Sequence, residues 1–151
     1  MIPRLVLVLV ALLAGACNAP YAVWSAPGLE ADTAEAVEAW NDAIAEHCPQ
    51  HPGLVLADSR DASDVTVAWG VVPGFDYGAS ETHDQIVVDP AHKDRHGLLP
   101  HLVAHEIGHA MGAGHDRTGT LMQPVSPRGV VGAHVTARDV AQICGTPENT
   151  R

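Results

Sequence analysis

Residues 105 to 115 read HEIGHAMGAGH, and these eleven positions constrain the chain more than any other stretch of it. His105 and His109 are four residues apart, a spacing that stacks two imidazoles on one face of an α-helix. Leu98, Leu102, Val103, Ile107 and Ala110 recur at helical spacing around them, and Pro100 is tolerated in a first turn. A helix backed by apolar residues is therefore predicted from about Leu98 to Met111. Gly112 is placed to end it, because a glycine that adopts positive φ turns the chain and returns His115 toward the other two rings.

Three imidazoles brought together in this way share one tetrahedral zinc at about 2.0 to 2.1 Å per bond. Neutral nitrogen ligands leave the ion its full charge, which suits Lewis-acid hydrolysis, whereas thiolate-rich sets suit structural zinc. Glu106 follows the first ligand directly. Its carboxylate can lie beside the open coordination position without being a ligand, take a proton from water and pass it to a leaving amine. The expected activity is hydrolysis of peptide bonds by a zinc-dependent endopeptidase, with Glu106 as general base. An alternative of another class is a surface lipoprotein that binds zinc without turnover, the metal only supporting the fold. Glu106 argues against it, since a structural site gains little from that carboxylate.

The remainder of the chain reads as helix, strands, helix, loop, helix. From Asp32 to about Cys48, Leu29, Thr33, Val37, Trp40 and Ile44 fall near one helical face, and Asp32 with Glu35 reads as a capping box. Leu54 to Ala57, Val65 to Trp69 and Gln85 to Asp89 carry strand signals, with a glycine-rich loop from Gly70 to Gly78. The polar run between Pro90 and Gly97 is expected as a surface loop, and a second loop runs from Ala113 to His134. Thr136 and Asp139 look like the cap of a last helix reaching Cys144. Mixed elements in 151 residues predict one α+β domain, a small mixed sheet packed on the active-site helix with N-terminal and C-terminal helices.

The formal net charge of -10 and only 8 scattered basic residues exclude a nucleic-acid partner. Arg4, the apolar run from Leu5 to Leu13 and Ala14-Gly15-Ala16 make residues 1–16 an export signal, too short to span a bilayer. Leu13-Ala14-Gly15-Ala16-Cys17 resembles a bacterial lipoprotein box, which would lipidate Cys17 and attach the protein to a membrane; the same site also serves an ordinary signal peptidase. In an oxidising compartment, three cysteines leave one over. Lipidation of Cys17 frees Cys48 and Cys144 to pair and tie the first helix to the last, the other outcome being two buried thiols. The expected layout is a tether over 17–28, a domain over 29–146 and a tail over 147–151, in an exported monomer of the cell envelope or the extracellular space.

HEIGHAMGAGH matches the long zinc signature of the metzincin metalloproteases, and Leu121-Met122-Gln123-Pro124 resembles the Met-turn that follows it. The resemblance implies that Met122 lies beneath the metal as a structural residue. Within the clan the likeness is greatest to matrixins, from about Ser63 to Gly145. Ser63 to Trp69 resembles their central strand, Gln85 to Asp89 the strand before the active-site helix, and Thr136 to Cys144 their final helix. Gly78-Ala79-Ser80 falls where their substrate-aligning edge strand would lie, so a peptide or protein substrate is expected to add to that edge. Pro124 stands where astacins and serralysins carry a tyrosine ligand, Asp116 after the third histidine is similar to adamalysins, and no cysteine-switch propeptide is visible. The loop before the active-site helix lacks the structural zinc and calcium pattern of animal matrixins; His83, Asp84, His92 and His96 offer ligands for another ion, but a solvated loop is expected there. Residues from Pro124 to Val131 are expected to wall the pocket beside the metal.

Overall fold

The strand predicted from Val65 to Trp69 forms with those bounds and becomes β3, the middle of a sheet that has five strands among the described residues. The computed structural model describes residues 19–72, 78–82, 84–95, 97–124 and 131–144. The expected export signal, Cys17, His83, His96, most of the expected pocket wall and the C-terminal tail lie outside the described residues. The sheet runs β2 (Leu54–Leu56), β1 (Tyr21–Ser25), β3 (Val65–Trp69), β5 (Gln85–Val88) and β4 (Gly78–Thr82). The first four strands are parallel, and β4 closes one edge antiparallel to β5.

Strand β1 corrects the expectation of a tether over 17–28. It sits between β2 and β3, with Val23 opposite Leu56 on one side and Val65 on the other. Only Val23 of its five residues is fully buried, so the segment carries little local strand pattern and forms because two distant strands satisfy its backbone. At the other extreme, Ile86, Val87 and Val88 of β5 are all buried, as expected of a parallel strand covered on both faces.

Among the described residues, three α-helices accompany the sheet: α1 (Glu30–His47), α2 (Leu99–Ala110) and α3 (Ala137–Cys144). Leu29, Thr33, Val37, Trp40 and Ile44, the face predicted for the first helix, are all buried. The start of α1 differs from the predicted capping box: Leu29 is the N-cap with no side-chain cap, and Asp32 lies within the first turn. Gly28 instead donates its N–H to the Glu30 carboxylate at 2.7 Å. Trp40 is fully buried where α1 packs on α2, a burial of about 1.5 to 3 kcal/mol, and its indole N–H donates to the Ala104 carbonyl at 2.9 Å. Helix α2 also lies against β4 and β5, which sets it beside the antiparallel edge.

A disulfide joins Cys48, just past α1, to Cys144 at the end of α3, with a Cα–Cα distance of 6.3 Å. Thr136 and Asp139 cap α3 as a reciprocal box: Thr136 N–H and its hydroxyl donate to the Asp139 carboxylate at 2.9 and 2.7 Å. The expected surface loop after Pro90 contains a 3-10 turn, Pro90–His92, whose His92 ring is buried; Asp89 accepts the Ala91 N–H and folds the segment inward. Among the described residues, no helix is long and apolar enough to cross a membrane.

Candidate metal centre

Helix α2 carries His105 and His109 one turn apart, and residues 101 to 108 are buried without interruption. Gly112 adopts φ +95°, a conformation that costs a glycine nothing, and the chain turns there. The turn brings His115 back. His109 Nε2 lies 3.1 Å from His105 Nε2 and 3.1 Å from His115 Nε2, and the three rings offer ligand atoms all within 4.8 Å of one another.

The second nitrogen of each helical ligand decides what the first can do. His105 Nδ1 lies 2.8 Å from the Leu121 carbonyl and His109 Nδ1 2.8 Å from the Ala113 carbonyl. A carbonyl only accepts, so Nδ1 carries the proton in both rings and Nε2 presents a lone pair. Two lone pairs 3.1 Å apart repel unless a cation lies between them. A proton does not serve: burial, followed by the neighbouring histidines and opposed by the Leu121 carbonyl, pushes His105 down to about 4. His109 is lowered too, by burial first and then by His115, against the Ala113 carbonyl. Nitrogens bound to zinc at about 2.0 to 2.1 Å in tetrahedral geometry lie roughly 3.3 Å apart, so this donor set fits one zinc ion.

Below the ligands the packing leaves no room. Gly108 lies between His105 and His109, and a Cβ there would stand 2.5 Å from Met122 Sδ and 3.0 Å from Trp40 Cζ2. Met122 is fully buried, and the turn that holds it also supplies the Leu121 carbonyl to His105. Asp139, itself fully buried, accepts the backbone N–H groups of Leu121 and Met122 at 3.3 and 3.2 Å while capping α3. The capping role was legible from Thr136 and Asp139; the grip on the turn was not, because the partners lie 17 and 18 residues upstream.

Glu106 follows His105 on α2 and is 5% exposed. His101, one turn before His105 on the same helix, is buried and lowered, by burial first, then by His134, with Asp139 opposing. The Thr118 hydroxyl, and after it Arg138, hold the Asp116 carboxyl below its ordinary range. Of the four polar residues considered for a second ion, His92 is buried and Asp84 exposed, and among the described residues only His105, His109 and His115 form a group able to hold a metal.

A family model described as Reprolysin_5, metallo-peptidase family M12, matches residues 6–146. No curated protein matches the sequence. The fold is similar to the crystal structure of archaemetzincin from Methanopyrus kandleri, at 15% sequence identity, covering 94% of this chain and 89% of that chain with a TM-score of 0.46.

Proposed function

This chain belongs to metallopeptidase family M12, and we propose that it is an exported endopeptidase in which Glu106 is the general base and β4 aligns the substrate. It is a zinc-dependent peptidase, with the His105, His109 and His115 group able to hold one ion. The observation that carries the fuller reading is the convergence of three Nε2 atoms, two of them from the helix that also carries the buried Glu106.

Zinc in this site supplies the Lewis acidity that polarises a scissile carbonyl and makes water a nucleophile near neutral pH. Glu106, adjacent to His105 and shielded from solvent, accepts the proton of the attacking water and returns it to the leaving amine. The three imidazoles stay neutral throughout. Strand β4 supports the substrate assignment: it is one edge of the sheet, it runs antiparallel to β5, and α2 packs against it. An extended peptide added to such an edge makes main-chain hydrogen bonds with little demand on its sequence.

A matrixin-like arrangement within the clan is part of this proposal. Its support is the order of β3, β5, α2 and α3, which follows the segments whose sequences resemble that family. Export rests on Arg4 and the apolar run from Leu5 to Leu13, with Cys17 as lipid acceptor or as the first residue after ordinary cleavage. The mass of the mature N-terminus separates those two.

Glu106→Gln tests the central claim. The variant should keep stoichiometric zinc while cleavage of an unfolded protein substrate falls by about 10²- to 10⁴-fold. Cleavage at the parent rate by the zinc-loaded variant would dispose of Glu106 as the base.

A further inference from the structure

His115 differs from the other two ligands in what holds it. Its ring is exposed, it lies outside the helix, and among the described residues its only contact at hydrogen-bonding distance is with His109 Nε2. The direction of the ring is therefore set by the backbone on either side. Gly114 N–H donates to Gln142 Oε1 at 3.0 Å, and Asp116 N–H donates to the Met122 carbonyl at 2.7 Å. Asp116 in turn receives Thr118 N–H and hydroxyl on Oδ1, and pairs through Oδ2 with Arg138 Nε at 2.5 Å. Both flanks of the third ligand are thus tied to side chains of one short helix, α3.

We infer that Arg138 and Gln142 are positioning residues for the zinc site, acting through Asp116 and Gly114 to hold the His115 ring toward the metal. The inference rests on the zinc-site reading above. The Arg138 side chain is 62% exposed and that of Asp116 14%, and an ion pair with one partner this open to solvent adds little to a fold. Gln142 adds one neutral hydrogen bond, a modest contribution to a fold. Neither contact governs the stability of the domain, which rests on the packed core. Applied to a loop of a few residues, the two contacts decide how much ordering the metal has to impose on His115 when it binds. Partners beyond the ligands themselves commonly change metal affinity by about 10- to 100-fold.

The test compares the full chain with Arg138→Ala, Gln142→Ala, the double variant and Arg138→Lys. Zinc affinity is read by competition with a chromophoric chelator, the visible spectrum of the cobalt(II)-loaded protein reports coordination, and the unfolding midpoint is taken on metal-free protein. Each alanine variant should bind zinc about three- to tenfold more weakly and the double variant about tenfold or more, with altered cobalt bands. Arg138→Lys should recover part of the loss, since it restores a charge opposite Asp116 without the fork of the guanidinium. Metal-free midpoints should stay within about 4 °C of the parent. Affinity within twofold of the parent in the double variant overturns the inference, as does an affinity loss matched by an equal loss of metal-free stability. A parent chain that binds no zinc would instead remove the metal centre itself.

Discussion

The zinc site is built from two regions held by different means. His105 and His109 lie on a buried helix and each hands its second nitrogen to a backbone carbonyl, of Leu121 and Ala113. His115 stands exposed on a turn, and its place depends on what grips Gly114 and Asp116. The helical pair is rigid because helix geometry and core packing fix it; the third ligand is placed by side chains from an element formed later in the chain. A site of this kind has a pre-formed half and a half whose order the metal helps to complete.

Deleting ligands probes that division most strongly. His105→Ala should weaken zinc by about 4 kcal/mol or more, at least roughly a thousandfold, since that is the average share when three ligands together carry about 10 to 16 kcal/mol and a pre-placed ligand carries more than the average. His115→Ala should cost less, because the helical pair remains poised. Equal losses, measured by chelator competition, would break the comparison.

Acid comes next in size. His105 sits at about 4 in the fold against an ordinary 6.5, so folding favours its neutral form. Its stabilising effect is complete above pH 6.5 and drains away as pH falls from 6.5 to about 4, reaching about 3 kcal/mol. Urea titrations of metal-free protein across that window should show the decline, and His105→Gln should flatten it. An unchanged slope in the variant would mean the burial of His105 has no such consequence.

The floor of the helical half yields smaller effects. Gly108→Ala gains about 1 kcal/mol of helix propensity but forces a Cβ to within 2.5 Å of Met122 Sδ, and overpacking costs about 1 to 3 kcal/mol. The expected outcome is a lower unfolding midpoint, and a raised one would show that Met122 yields freely. Trp40→Phe removes the donor to the Ala104 carbonyl and should cost about 1 kcal/mol in denaturant unfolding, with zinc affinity nearly unchanged.

Much of this was readable along the chain. The inner face of α1, the bounds of β3, the turn at Gly112 and the Thr136–Asp139 cap all depend on residues within a few positions of one another. Strand β1 was not readable, because Tyr21–Ser25 has one fully buried residue and owes its conformation to β2 and β3. His92 resembled a loop residue because its polar neighbours say nothing of the burial it finds in the capped 3-10 turn after Asp89.

Eleven residues encode the three candidate ligands and their spacing, since a helical repeat and a glycine with positive φ are local properties. Folding supplied what they could not. Which nitrogen of each helical imidazole faces the ion depends on carbonyls that folding delivers, and the direction of His115 depends on Arg138 and Gln142, more than twenty residues downstream. Such contacts are fixed only when distant segments are packed together, because their energy depends on distance in space and not on separation along the chain.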